Sequence, residues 1–334
     1  MNQVTSDKFR WMAFLSSVLI ALGHATKIVS DAGGWFISLC QQLAVPAMVY
    51  FFMSSAYFHY REYEKTEYRT KLIKRIETMI IPYICWNFMA YFVAVGKGYT
   101  TLSLFSFIKA MIFVYIPIWD KAHDPIIGAT WFIVRVLTYE VMAPLFIRLI
   151  RKKRLCWMVI TANFFVVLFT DVNYYAFLYW MPFYLLAAYM AYYYHDSIEE
   201  KLSNKVEKWN WTGLSFIWVF IMYGIFCMGS RKISMTYDLE RVCSIGVLLF
   251  VMYFINWYPK VTWIVKKSPF YLYLIHLPLI WIFGNWVVIR FQYKYSPAIL
   301  LMILLAIVLV VTYTSQWILH KAFPRISRML TGNR

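Results

Sequence analysis

The sequence predicts an all-α, polytopic integral membrane protein with about ten transmembrane helices and one further re-entrant or interfacial helix. Its composition is 62% hydrophobic and 21% aromatic, with only 15% charged residues. Apolar runs of membrane-spanning length recur along all 334 residues, and basic residues gather in alternate loops between them. This much apolar surface exceeds what a water-soluble core can bury. We therefore expect residues 1–334 to form a single transmembrane domain.

A helix needs about 20 consecutive, mostly apolar residues to cross the hydrocarbon core of a bilayer. Runs of this kind lie at residues 11–29, 35–58, 79–96, 130–147, 155–170, 175–193, 212–229, 242–258, 269–289 and 297–319. A further run at 103–118 is shorter and has Lys109 near its centre. Its length alone does not decide whether it crosses.

The distribution of lysine and arginine decides this question. If 103–118 does not span the membrane, 23 of the 33 basic residues fall in one set of loops and nine in the other, with Arg135 inside a span. Cytoplasmic loops carry an excess of Lys and Arg. A crossing at 103–118 would move the basic segment 148–154 and the basic C-terminus to the outside. The sequence therefore places both termini in the cytoplasm and predicts that 103–118 is re-entrant or interfacial.

The formal net charge of +17 does not indicate a nucleic-acid-binding protein, because the basic residues flank spans instead of covering a soluble domain. Anionic lipid headgroups are the expected partners of such residues. The five cysteines all fall in predicted spans at wide spacing, which predicts neither a disulfide framework nor a zinc site. No metal site and no permanently bound cofactor are predicted.

Ionisable residues inside a membrane span are costly and functional by default. The first span, within FRWMAFLSSVLIALGHATK at residues 9–27, contains His24 fourteen residues after Arg10. Fourteen residues of α-helix rise about 21 Å and complete almost four turns, so both side chains lie on one face at different depths. In the fourth span Arg135 and Glu140 are five residues apart, about 140° around the helix. Each of these two needs a partner elsewhere.

Four later motifs keep a regular order along the predicted spans. They are VPAMVYFFMSSAYF at 45–58, KLIKRIETMIIPY at 71–83, ATWFIVRVLTYEVMAPLF at 129–146 and SPFYLYLIHLPL at 268–279. Together with the arginine and histidine of the first span, they resemble the membrane acyltransferase-3 family of bacterial proteins. The resemblance covers nearly the whole chain. The sequence departs from the family pattern at Thr78, where a second arginine is usual, and at Ser55, where glycine is usual.

The resemblance implies an integral-membrane O-acyltransferase that moves an acyl group, commonly acetyl, from cytoplasmic acyl-coenzyme A to a hydroxyl of a bacterial surface or exported glycan. Such a reaction needs a base for the hydroxyl proton and cations for the coenzyme A phosphates. His24 is predicted to be the catalytic base, because a neutral imidazole can accept a proton. Arg10, Lys71, Lys74 and Arg75, at the cytoplasmic ends of the first and third spans, are predicted to bind acyl-coenzyme A.

Three further residues are candidates for a polar cavity between helices or for a supporting role: Arg135, Glu140 and His276. His276 lies about eight residues into the ninth span, where hydrogen bonding between helices is its expected role. His59 is expected to be solvated at the cytoplasmic interface.

A second function class stays open on the residues alone. Ten helices with buried charges also describe a non-enzymatic transporter or exporter of a polysaccharide or lipid-linked glycan. The sequence shows no inverted repeat, and the basic cytoplasmic opening suits a thioester donor, so the enzyme is favoured. The expected location is the bacterial cytoplasmic (inner) membrane. The expected partners are acyl-coenzyme A, a glycan or lipid-linked saccharide acceptor, and membrane lipids.

Overall fold

The described residues form a bundle of helices with one short antiparallel pair of strands. The computed structural model describes residues 1–29, 35–64, 67–112, 114–116, 121–123, 125–170, 172–203, 241, 244–248, 252 and 260–332. The predicted span at 212–229 lies outside these residues, and of the span at 242–258 only residues 244–248 and 252 are described.

The first half of the bundle contains six helices. They are α1 (Gln3–Val29), α2 (Trp35–Gln42), α3 (Ala44–Tyr60), α4 (Tyr68–Arg75), α5 (Ile81–Gly96) and α6 (Leu104–Met111), with a π-helical turn at Ile76–Ile80 between α4 and α5. The hairpin of β1 (Val114–Ile116) and β2 (Lys121–His123) follows α6.

The rest of the described chain begins with a 3-10 turn at Gly128–Thr130. The helices after it are α7 (Trp131–Val141), α8 (Ala143–Arg151), α9 (Lys153–Phe169), α10 (Phe177–Ser203), α11 (Trp263–Phe291), α12 (Pro297–Ala322) and α13 (Pro324–Thr331). The break between α7 and α8 comes at Met142, two residues before Pro144, whose ring cannot continue the hydrogen bonds of the preceding helix.

Within the described residues, five helical segments are long and apolar enough to cross a membrane: Gln3–Val29, Phe36–Tyr60, Tyr68–Gly96, Trp263–Phe291 and Pro297–Ala322. They correspond to the first three and the last two predicted spans. Helices also occupy 130–147, 155–170 and 175–193, but α7, α8 and α9 are 11, 9 and 17 residues long, and the tyrosines of α10 lower its hydropathy. The chain is therefore a multi-pass membrane protein, and the predicted count of ten spans is supported for five.

The predicted helix over 103–118 is wrong at Val114–Ile116, which form a strand. Helix α6 begins after Ser103, whose hydroxyl accepts a hydrogen bond from the Ser106 amide at 3.1 Å, and it ends at Met111. Val114–Ile116 then pairs with Lys121–His123 as an antiparallel strand. The apolar run FVYI that leads into Pro117 consists of aromatic and β-branched residues, which favour strands. Periodicity over so short a run does not separate helix from strand.

Helix α6 lies alongside α5 and runs in the opposite direction. The Tyr91 hydroxyl donates to the Ser103 carbonyl at 3.1 Å, near the end of α5, and the Tyr83 hydroxyl donates to the Met111 carbonyl at 2.6 Å, near its start. The Ile127 amide donates to the Asn87 side chain between these two levels at 3.0 Å. Helix α6 thus runs from the end of α5 back toward its start, and by Ile127 the chain has returned to the level of Asn87.

Helix α1 is central, because it packs against both α3 and α11. At Gly23 a Cβ atom would lie 2.7 Å from the Cβ of Ala44, so only glycine allows α1 to approach the start of α3 this closely. The approach places the next residue, His24, at the junction of α1 with its neighbours.

The two ends of the chain lie on the same side of the bundle. The Met1 amine is 3.2 Å from a Glu199 carboxylate oxygen at the end of α10. The ring of His320, at the end of α12, lies with its centroid 5.5 Å from that of Trp263, at the start of α11. Arg10, near the start of α1, and Lys266, near the start of α11, line one cavity, so these ends lie on the same side, which agrees with termini on one face of the membrane.

Labelling of intact cells with a membrane-impermeant maleimide tests whether the termini lie on the cytoplasmic face. With both termini cytoplasmic, a cysteine replacing His123 is expected to react from outside and one replacing Lys152 to stay protected until the cells are opened. The unsubstituted chain provides the background from its own cysteines. Equal reaction at both positions would contradict the charge-based topology from residue 103 onward.

Candidate active site

A cavity of about 610 Å³ lies beside the second half of α1. We call it the His24 cavity. The polar and aromatic side chains that line it include His24, Lys27, Gln41, Trp131, Trp180 and Tyr273. Its volume is within the range of ligand sites in proteins. The predicted base therefore borders an open space.

The ring of His24 lies next to that of His276 from α11, with the two centroids 5.2 Å apart. His276 is fully buried. Its Nδ1 lies 2.7 Å from the Tyr273 carbonyl and 3.2 Å from the Leu272 carbonyl. Carbonyl oxygens only accept, so Nδ1 is assigned as the protonated nitrogen. In the neutral ring, Nε2 then carries a lone pair.

This lone pair of His276 has no hydrogen-bond partner among the residues that the structure describes, although Nε2 is buried. A buried acceptor without a partner is costly. The imidazole of His24, whose centroid lies 5.2 Å from that of His276, carries an N–H donor. The sequence predicts that both histidines lie in spans, but it does not predict that they contact each other.

A second, smaller cavity of about 180 Å³ lies beside the first half of α1, and we call it the Arg10 cavity. Its polar lining includes Arg10, Ser55, Lys266 and Lys267. Arg10 Nη1 also contacts a carboxylate oxygen of Asp7 at 3.0 Å. Lys266 and Lys267 were missed as site residues. Their position directly before the SPFYLYLIHLPL motif, at the start of the same helix, could have indicated them.

Tyr273 lines both cavities and so forms a wall between them. Its hydroxyl donates to the Ala129 carbonyl, and its ring centroid lies 5.8 Å from that of Phe132. Trp131 and Phe132 follow each other in α7, yet Trp131 lines the His24 cavity and Phe132 the Arg10 cavity. The two cavities therefore meet at one aromatic layer in the middle of the bundle.

The basic residues predicted from the third span have other contacts. Arg75 Nη2 is 2.9 Å from Oε1 of Glu140, which is fully buried. Lys71 Nζ donates to the His59 carbonyl at 2.8 Å, and Lys74 is exposed. These three residues are absent from the described lining of the Arg10 cavity. Their assignment to acyl-coenzyme A stays a prediction.

The expectation that His59 is solvated is wrong, because its side chain is only 1% exposed. His59 lies in α3, where its Nδ1 is 3.8 Å from the Glu140 carboxylate. From the sequence, His59 lies at the end of a predicted span, and nothing there indicates that α4 and α7 cover it. Glu140 therefore has its ionic contacts on other helices, as the 140° separation from Arg135 requires.

Arg135 lies in the fourth predicted span and is 8% exposed. Its guanidinium donates to the Tyr175 carbonyl and lies 5.9 Å from the centroid of the Phe177 ring. Because Tyr175 lines the His24 cavity, Arg135 supports the wall of that cavity from behind. No group of three or more potential metal ligands occurs within the described ranges.

Comparison with known proteins gives one match. The family described as an acyltransferase domain, acyltransferase 3, matches residues 8–317. No curated protein and no solved structure gives a significant match. The matched range begins before Arg10 and includes both cavities and the histidine pair. The chain therefore belongs to the acyltransferase-3 family of membrane acyltransferases.

Proposed function

We propose that the protein is an integral-membrane O-acyltransferase that transfers an acyl group, with acetyl as the expected one, from acyl-coenzyme A to a hydroxyl of a bacterial surface or exported glycan. One observation carries this proposal. A cavity with three cations and a cavity with a histidine approach each other from opposite ends of α1 and meet at Tyr273.

The Arg10 cavity suits the donor. Coenzyme A carries phosphates, and Arg and Lys side chains form charge-assisted hydrogen bonds with phosphate oxygens. Arg10, Lys266 and Lys267 supply cations to the lining of this cavity, and Phe51 and Phe132 supply apolar wall. The charged head of the donor binds these cations, and its thin thioester arm extends between the helices toward Tyr273.

The His24 cavity suits the acceptor, and His24 acts there as the general base. As the acceptor hydroxyl attacks the thioester carbonyl carbon, His24 removes the hydroxyl proton and the new C–O bond forms. The C–S bond of the resulting tetrahedral intermediate then breaks. The proton passes from the imidazolium to the departing thiolate, which leaves as coenzyme A. The products are an ester and a free thiol, and no other reactant is consumed.

His276 acts as a positioning residue for His24. Its Nδ1–H is directed to the Tyr273 carbonyl at 2.7 Å, so its Nε2 can accept a hydrogen bond from an N–H of His24. That bond leaves the other nitrogen of His24 unprotonated and able to face the acceptor. A partner that selects the tautomer of a catalytic imidazole is a common element of acyl-transfer sites.

The proposed location is the bacterial cytoplasmic membrane with both termini in the cytoplasm. The Arg10 cavity then opens toward cytoplasmic acyl-coenzyme A, and the His24 cavity toward the opposite face. The unequal distribution of Lys and Arg between the two sets of loops supports this orientation.

Calorimetric titration of purified protein with coenzyme A tests the donor site. Replacing Lys266 and Lys267 by glutamine is expected to weaken binding about tenfold or more, because hydrogen bonds to charged groups contribute about 1.5–3 kcal/mol each. Binding to the unaltered protein is expected to weaken as salt rises, since exposed charges are screened.

The matched control replaces Lys71 and Lys74 by glutamine and keeps Arg75, whose removal would leave Glu140 without its arginine. A loss of affinity confined to this second pair would place the phosphates at the third span, as the sequence first predicted. If both double variants bind coenzyme A as tightly as the unaltered protein, the proposed donor site is wrong.

A further inference from the structure

A third cavity is an open groove of about 670 Å³ between α5, α11 and α12. We call it the α5–α11 groove. Its walls are mostly apolar and include Val93 of α5, Ile282 of α11 and Val311 of α12. Val93 and Ile282 are 55% and 51% exposed, and in a multi-pass membrane protein such apolar side chains face lipid. The groove therefore opens toward the hydrocarbon of the bilayer, from which a lipid chain can enter it.

One end of the groove is polar. Lys97, at the end of α5, and Asn285, near the end of α11, line it, and both residues are exposed. Tyr99 lines the groove as well and is 80% exposed. Tyrosine is enriched at membrane–water interfaces, and lysine side chains near helix ends reach toward them. In the orientation proposed above the third span ends at the outer face, so this end of the groove lies at the surface of the outer leaflet.

The length of the groove indicates the kind of lipid. At its other end the rings of Trp86 and Tyr271 lie 5.7 Å apart, between centroids. Tyr271 and Asn285 are fourteen residues apart in α11, which is about 21 Å of helix. The hydrocarbon of one leaflet is about 15 Å deep, half of the bilayer core. A chain that fills the groove therefore extends past the midplane, as a long isoprenoid chain can, whereas an ordinary phospholipid tail ends near it.

The polar end of the groove adjoins the His24 cavity. Ile28 lines the groove, whereas Lys27, the preceding residue of α1, lines the His24 cavity. A Cβ atom on Gly284 would lie 3.0 Å from Cγ2 of Ile28, so α1 and α11 meet closely one residue before Asn285. His24 is one helical turn, about 6 Å, before Ile28 along α1. A group bound at the polar end therefore lies beside the His24 cavity.

We propose that the acceptor is a lipid-linked saccharide, whose long isoprenoid chain lies in the α5–α11 groove, whose phosphate binds Lys97 and Asn285, and whose sugar enters the His24 cavity. This inference rests on the function proposed above and narrows its acceptor. An ammonium and a carboxamide both donate hydrogen bonds, and phosphate oxygens accept them. An acceptor anchored in this way presents its sugar at the level of His24, which lowers the entropic cost of binding it.

Native mass spectrometry of the full-length protein in detergent tests the proposal through binding alone, because it separates bound lipids by mass. The probes are undecaprenyl phosphate, farnesyl phosphate and dioleoyl phosphatidylglycerol, which are a long isoprenoid phosphate, a short one and an anionic phospholipid. Undecaprenyl phosphate is expected to bind on the order of tenfold more tightly than either of the others, because only its chain fills the whole groove.

Ala94→Phe narrows the groove that Ala94 lines, and Lys97→Gln removes its cation. Each is expected to weaken the binding of undecaprenyl phosphate by about tenfold. Lys97 is exposed, so its replacement leaves the fold intact and keeps the test valid if Ala94→Phe disturbs packing. The matched controls are Ala162→Phe and Lys294→Gln, because both residues are exposed and lie outside the described lining of the groove. Binding to the controls is expected to be unchanged.

Equal binding of the three probes, binding of none of them, or tightest binding of the phospholipid would overturn the proposal. So would a preference for the long chain that survives in both groove variants. A separate measurement of acyl transfer from acetyl-coenzyme A keeps the two proposals apart. Transfer that requires His24 but proceeds normally in both groove variants removes only the lipid-linked acceptor, whereas binding of the long isoprenoid without any transfer removes the enzymatic function.

Discussion

Replacement of His24 by alanine is expected to lower acyl transfer by about 10²-fold or more, since this is the typical contribution of a general base. The protein is expected to stay in the membrane and to bind coenzyme A normally, because the proposed site of the donor phosphates is the Arg10 cavity. Transfer is measured in cells at matched expression, by mass spectrometry of the surface glycan. His24→Gln is the sharper variant, because glutamine keeps a hydrogen bond but cannot act as a base near neutral pH.

Near-normal modification with His24→Gln would show that His24 is a packing residue. His276→Gln separates positioning from catalysis, because His276 is proposed to act only through His24. Its loss is expected to lower the rate of transfer less than the loss of His24 does and to leave the KM for the donor unchanged. An equal or larger loss would make His276 the base instead.

Replacement of Glu140 by alanine is expected to destabilise the fold by about 3–5 kcal/mol, the usual cost of removing one partner from a buried ion pair. Glu140 is fully buried, and Arg75 lies 2.9 Å away, so the change leaves a cation inside the bundle without its carboxylate. Thermal unfolding of purified protein, followed by the loss of monodisperse protein on size-exclusion chromatography, measures the effect.

The double replacement Arg75→Met with Glu140→Met is expected to recover most of the lost stability, because an apolar pair of similar volume leaves no unpaired charge. Glu77→Gln is the control, since Glu77 is exposed in the adjoining segment. An unfolding temperature of Glu140→Ala equal to that of Glu77→Gln would contradict a structural role for the pair. The same double variant also shows whether Arg75 binds coenzyme A, because it loses the guanidinium without losing the fold.

Several features of the fold and site follow from the sequence because they depend on one helix at a time. The depth of His24 relative to Arg10 needs only the rise of a helix, and the structure shows that the two residues line different cavities. The family motifs predicted the membrane acyltransferase as a class. The separation of Arg135 from Glu140 around their helix also required partners on other helices.

Features that depend on the rotation of one helix against another could not be obtained in this way. The sequence identified cations near the ends of spans, but not that Lys266 and Lys267 face the Arg10 cavity while Arg75 faces Glu140. The contact between His24 and His276 joins opposite ends of the chain and has no local pattern. The strand at Val114–Ile116 was missed because a short apolar run fits either periodicity.

A bacterial membrane stores energy as an ion gradient, which dissipates wherever water forms an unbroken column from one face to the other. An enzyme that meets one substrate on each face would be expected to create such a column. Here a single side chain, Tyr273, borders both cavities and is anchored to the Ala129 carbonyl. In the reaction proposed above, only an acyl group would have to pass this ring, so the donor and the acceptor would react without either crossing and without a continuous column of water.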